Sequence, residues 1–297
     1  FMIGDQPSRS AQLAWGAVVI VLLAATGLVT YGLTHTSSPA APAQHAVTSQ
    51  GILDAVSTVP ATVFDRIGTT VPGVVLAQPR MVAGQPTLTS HGRPEVLFIG
   101  AEYCPFCAAE RWALVVALSR FGRFTVLGEA TSAPLSVFPS TATFSFVGAR
   151  YSSRYLAFTG VERYSAQVGA DGKFTRIARL TSSQAALLAA NPPAVSSSAI
   201  GAGPFVDIAG IMVATTSGFS PALLAGQSQA QIAGEVATPP VDGEEPATAV
   251  PPTGAAIIAS ANQLTVGLCA ATGQRPMSVC RSKAVRDASQ SLGAPAP

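Results

Sequence analysis

The sequence predicts an α/β protein, and three observations near its middle carry the prediction. The apolar run Glu95-Val96-Leu97-Phe98-Ile99-Gly100 has the length and composition of a buried strand. Ala108 to Leu118 reads as a helix, and Phe124 to Glu129 as a second strand. Strand, helix and strand in that order make a parallel unit with a right-handed crossover. Between the first strand and the helix stands Cys104-Pro105-Phe106-Cys107. A C-x-x-C pair in that context is suited to thiol–disulfide chemistry. A thiol at a helix N-terminus faces unpaired backbone N–H groups and the positive end of the macrodipole, which favour the thiolate. The second cysteine, one turn on, can close a small disulfide with the first. Glu102 would raise the pKa of a thiol it faced, and Arg111 would lower it.

The remaining elements follow in chain order. Leu13 to Leu33 is uncharged, and at about 1.5 Å per residue it crosses a hydrocarbon core of roughly 30 Å, so residues 11–33 are expected to form a transmembrane helix. Trp15 and Tyr31 suit its two interfaces, and Arg9 on the N-terminal side places residues 1–10 in the cytoplasm and the rest of the chain outside it. A cleaved signal peptide is the alternative, although its apolar region is usually shorter, about 7–15 residues. Residues 34–50, rich in Pro, Ala, Ser and Thr, read as a flexible tether in which His35 and His45 are solvated. A domain is expected over 51–288. Ile52, Val56, Val59, Val63 and Ile67 mark a helical face, with Pro60 either starting a second helix or kinking the first. Short strands and turns fill Val71 to Leu88.

Beyond the second strand, Phe144–Val147 and Tyr155–Phe158 are short alternating segments, and Glu162-Arg163-Tyr164 leads to a turn at Asp171-Gly172. Thr181–Asn191 is a helix stopped by Pro192-Pro193. Gly203 to Val213 is a strand pair or one bent strand, interrupted by glycine, Pro221–Ala237 and Gly254–Cys269 are helices, and residues 289–297 are expected to be disordered.

Composition narrows the function. Charged residues make up 11% of the 297 and the net charge is +2, without the basic surplus that nucleic-acid binding needs, so no nucleic-acid partner is expected. Hydrolase chemistry has no support, because His91 is the only histidine inside the expected domain and sits in a turn. Trp112 and the cluster of Tyr151, Tyr155 and Phe158 read as core.

The block PEVLFIGAEYCPFCAAERWALVVALSRFG at 94–122 resembles the membrane-anchored thioredoxin-like proteins of archaea and actinobacteria grouped as domain-of-unknown-function family 929. FVGARYSSRYLAFTGVE at 146–162, GPFVDIAG at 203–210 and LCAATGQRPMSVC at 268–280 resemble the family's later blocks. The resemblance implies a thioredoxin-like fold with an N-terminal transmembrane helix and extra helical segments. It implies Cys104 as the exposed nucleophile, Cys107 as the buried resolving thiol and Pro204 as a cis-proline abutting them. Glu102, Tyr103, Pro105 and Phe106 would line a substrate groove. The Pro-Phe dipeptide is more similar to glutaredoxin-type Pro-Tyr than to the pairs of thioredoxin or the oxidising periplasmic enzymes, which implies a potential between their extremes of about −270 and −120 mV.

Cys269 and Cys280 flank a turn segment and are best read as a structural disulfide, worth about 3 kcal/mol in the chain-entropy model. A second redox pair and metal ligation are the alternatives. Only one C-x-x-C knuckle exists, so a zinc site lacks support. Neither a metal nor another cofactor is expected. The expected function is thiol–disulfide exchange on exported cysteine-containing proteins, with a quinone-linked membrane protein as redox partner by analogy. A non-catalytic interaction module of a membrane complex and a copper-delivery protein are the alternatives.

Overall fold

The computed structural model describes residues 45–194, 203–237 and 251–294. The expected span at Leu13–Leu33, the tether before His45, and residues 295–297 of the expected tail lie outside the described residues.

Two helices open the domain, α1 (Gln50–Ser57) and α2 (Ala61–Ile67), with Ser49 and Pro60 at their N-caps. Short strands β1 (Arg80–Met81) and β2 (Thr89–Ser90) precede β3 (Arg93–Gly100), α3 (Pro105–Ser119), β4 (Arg123–Thr131), β5 (Ala142–Ser152) and β6 (Ala157–Glu162). Next come the hairpin β7 (Tyr164–Val168) and β8 (Phe174–Arg176), then α4 (Ser182–Ala190), β9 (Phe205–Ile208) and β10 (Met212–Ala214). A 3-10 turn at Pro221–Leu224 leads to α5 (Gln229–Ala237), α6 (Pro252–Ala271), α7 (Met277–Cys280) and α8 (Lys283–Ser291).

The central sheet is mixed, with β3 at its heart. β3 pairs in parallel with β6, Glu95 opposite Ala157 through Gly100 opposite Glu162, and antiparallel with β9, Val96 opposite Ile208 through Ile99 opposite Phe205. β10 and then β1 extend the sheet beyond β9. Val96 to Gly100 is buried on both faces, which is why this strand is a continuous apolar run rather than an alternating one. The parallel partner differs from the sequence expectation. β4 does form over the predicted residues, but it pairs antiparallel with β5 in a separate hairpin, and β6 takes the place beside β3. Alternation marks a strand without marking its partner, and the parallel mate here lies beyond an inserted hairpin.

α3 packs against α6, and both are apolar around most of their circumference because each is enclosed. α6 is long and apolar enough to cross a membrane by length and composition, yet 89% of its apolar window is buried inside the domain. Trp112, as expected, is core: its ring lies on Phe144 and its Nε1–H donates to Ala142 O at 3.0 Å. Tyr151 and Phe158 join Phe124 in an aromatic cluster, while Tyr155 packs at the core's edge.

The expected disordered tail is corrected. α8 runs to Ser291 and buries Ala284, Val285, Ala288 and Ser289. Asp65 of α2 anchors it by accepting the Ala284 N–H at 2.8 Å. The expected helix over Pro221–Ala237 is likewise two pieces, the 3-10 turn and α5.

Candidate active site: the cysteine pair and its charged backing

β3 delivers the chain to Cys104, the N-cap of α3, and Pro105 takes the first helical turn, where its missing N–H costs nothing. The Cys104 sulfur accepts the Cys107 N–H at 3.3 Å. Gly100 is required beneath the pair, because a Cβ there would stand 3.2 Å from the Cys107 sulfur and 2.6 Å from the Phe98 ring. The two cysteines are not joined in a disulfide. Burial pushes the Cys107 thiol well up, the Cys104 sulfur beside it adds to the rise, and the Arg111 charge and the Ala101 N–H only partly offset it. Cys107 therefore keeps its proton.

Cys104 departs from the expected exposed nucleophile: it is fully buried. Its neighbours are covered by the inserted hairpins. Tyr103 stacks under Phe174 of β8 at 4.1 Å and its carbonyl accepts the Ala133 N–H, while Phe106 meets Phe138 of the β4–β5 loop. The expected groove is corrected with it, since Glu102, Tyr103 and Pro105 are buried and only Phe106 is partly exposed. Pro204 is also buried, and the pairing of Phe205 with Ile99 sets it across from Gly100, at the strand end where the motif begins. Its cis bond is not found. Among the described residues the cis peptide is Arg275–Pro276, so Pro204 leads into β9 through the trans form that X-Pro bonds ordinarily favour.

A charged layer backs the pair. Arg111 of α3 is wholly buried and bidentate on Glu162 of β6, with Nε to Oε1 at 2.8 Å and Nη2 to Oε2 at 2.7 Å, and Nη2 also donates to Ala101 O. Glu102 turns away from solvent: its Oε1 accepts the Ser145 hydroxyl at 2.6 Å and lies 2.9 Å from His45 Nε2. Burial alone would push the Glu102 carboxyl up, but the bonds from His45 and Ser145, with the His45 and Arg111 charges, hold it below its ordinary value. His45, read from sequence as solvated, is the residue that composition missed. Its only sequence signal is its nearness to the helix cap at Ser49. Glu110, on another face of α3, is buried with Oε2 accepting the Gly218 N–H, and burial raises its pKa to about 8. Cys269, near the end of α6, and Cys280, the last residue of α7, are joined in a disulfide.

The fold and site define an α/β protein whose central strand presents a C-x-x-C pair at a helix N-terminus above a buried ion pair. Residues 80–170 match the model of a family described as a domain of unknown function, DUF929, the family that the sequence blocks resemble. The match holds Cys104, Cys107, Glu102, Arg111, Ser145 and Glu162, whereas His45, Pro204 and the Cys269–Cys280 disulfide lie outside it. No curated protein and no solved structure matches the chain.

Proposed function

We propose that this chain is a thioredoxin-like thiol–disulfide oxidoreductase, anchored by the Leu13–Leu33 helix, that acts outside the cytoplasm on exported cysteine-containing proteins. The observation that carries the proposal is the asymmetry of the pair: Cys104 caps α3 and accepts the Cys107 N–H, while Cys107 keeps its proton. One sulfur is placed to attack and the other to resolve. The Cys104 thiolate attacks a client disulfide, one client sulfur leaves as thiolate, and a mixed disulfide forms. Cys107 then gives up its proton and attacks the Cys104 sulfur. The second client thiolate leaves, the pair becomes a disulfide, and two electrons have passed to the client. The reverse sequence oxidises a client, with a quinone-linked membrane protein as the proposed electron acceptor.

A parallel strand on one side of β3, an antiparallel hairpin on the other and the following helix α6 support the thioredoxin-like assignment. The Cys269–Cys280 disulfide supports an oxidising compartment. Cys107→Ala tests the function: in cells, Cys104 of this variant should remain bonded to its clients, and mass spectrometry should identify them. The absence of any such adduct, together with no dithiol/disulfide couple in glutathione buffers, would sink it.

The full burial of both sulfurs favours a second role, a non-catalytic module that binds a membrane complex. A stoichiometric membrane partner that still co-purifies after both cysteines are replaced would decide for that role.

A further inference from the structure

His45 opens the described chain, and its side chain enters the charged layer behind the cysteines. The residues after it run along β4: the Glu129 N–H donates to Ala46 O and the Thr48 N–H to Leu127 O, each at 2.8 Å, and Val47 bridges to Gly128. Gly128 admits this close passage, since a Cβ there would stand 3.1 Å from the His45 Cβ and 3.2 Å from the Ser145 Cβ. The position is therefore built by backbone pairing and does not depend on the ion pair alone.

The charged groups that act on His45 are Glu102, in the turn after β3, and Glu162 of β6; Glu129 of β4 reaches it through the backbone. Arg111 of α3 stands next in line. Its charge acts both on Glu102 and on Cys107, and its Nη1 is buried without a hydrogen-bond partner among the described residues. An uncompensated Glu102 thus competes with Cys107 for the same guanidinium. His45 is also the layer's opening to water, its side chain 19% exposed where that of Glu102 is 2% and those of Arg111 and Glu162 are fully enclosed.

We propose that His45 is a positioning residue for the cysteine pair: it holds Glu102 beside Ser145 and cancels its charge, so that the Arg111 charge is left to act on the Cys107 side of the pair. The proposal rests on the pair being the redox centre. Its consequence is a pH dependence transmitted to the pair from His45. The hydrogen bond to Glu102 outweighs the cost of burial and extends the protonated form of His45 to higher pH than in a free histidine. Below that titration Glu102 is compensated. Above it, the carboxylate draws on Arg111, and the pair, whose Cys107 hydrogen-bonds the Cys104 sulfur, ionises less readily.

The test follows the thiolate ultraviolet absorbance of the full chain from acidic to mildly alkaline pH, with the double Cys104→Ser, Cys107→Ser variant as blank. His45→Gln keeps a donor toward Glu102 but carries no charge. It should lower the thiolate fraction at neutral pH about threefold to tenfold, corresponding to half to one pKa unit. Adding Glu102→Gln to it should restore the thiolate, an outcome that a merely structural role for His45 would not produce. An unchanged curve in folded His45→Gln, or failure of Glu102→Gln to restore it, overturns the proposal. If His45→Gln does not fold, the reciprocal measurement decides: the His45 ring resonances should titrate at a different pH once both sulfurs are removed, and coincident curves overturn the proposal. Neither readout needs turnover, so failure of the oxidoreductase function and failure of this inference are separately visible.

Discussion

The two cysteine pairs of this chain are equally buried and differently surrounded. Cys269 and Cys280 close a turn after α6 and are bonded to each other. Cys104 and Cys107 stand unjoined at a helix N-terminus, backed by Arg111, Glu162, Glu102 and His45. Burial therefore does not distinguish a fastening bond from the pair proposed to react. The charge behind the sulfurs and the unpaired N–H groups of a helix start do, because only these stabilise a thiolate once it forms.

The sharpest way to break the comparison is to remove the charged backing. Glu162→Ala leaves Arg111 buried and uncompensated, and should cost about 3–5 kcal/mol in urea unfolding. Arg111→Met with Glu162→Leu should recover most of that stability while leaving the Cys107 side of the pair without its cation.

Opening the other pair comes next. Cys269→Ala with Cys280→Ala should cost about 2–4 kcal/mol in the same assay, and should leave the thiolate titration of Cys104 and Cys107 where it was. A shifted titration would mean that the two pairs are not independent.

A third prediction concerns pH. Glu110 in the folded state has a pKa raised to about 8, above that of an unfolded glutamate, so the folded state holds the extra proton between the two values. Its contribution to stability is complete at acidic pH and is lost as pH rises through the mildly acidic range to about 8, by at most about 1.4 kcal/mol per pH unit. Glu110→Gln should flatten that decline, measured as the urea midpoint against pH. The smallest effect is expected at Thr143, whose hydroxyl donates to Ala108 O in the first turns of α3 at 2.8 Å. Thr143→Val should cost about 1 kcal/mol and loosen the helix start that carries the cysteines.

What was legible in the sequence was local. The strand before the motif, the helix after it and the break at Pro60 follow from composition and period, and the structure has each of them. What was hidden depends on partners far apart in the chain. Nothing near Arg111 announces Glu162, and nothing near Glu102 announces His45 or Ser145, because these pairs are set by which strands adjoin. The parallel mate of β3 is hidden for the same reason, and so is the burial of Cys104, whose exposure the resemblance implies: the hairpins that cover its neighbours read from sequence only as short strands and turns. α8 escaped notice since its buried face is mainly alanine, valine and serine, a weak apolar signal.

The central claim is that one pair cycles while the other fastens. The most direct measurement is mass spectrometry of the full chain equilibrated across glutathione buffers of graded potential, with both pairs trapped by alkylation under denaturing acid quench. Cys104 and Cys107 should pass between dithiol and disulfide at a potential between those of thioredoxin and the strongly oxidising periplasmic enzymes, about −270 to −120 mV, with Cys269–Cys280 closed throughout. A Cys104/Cys107 pair that stays reduced in every buffer, or two pairs that open together, would contradict it.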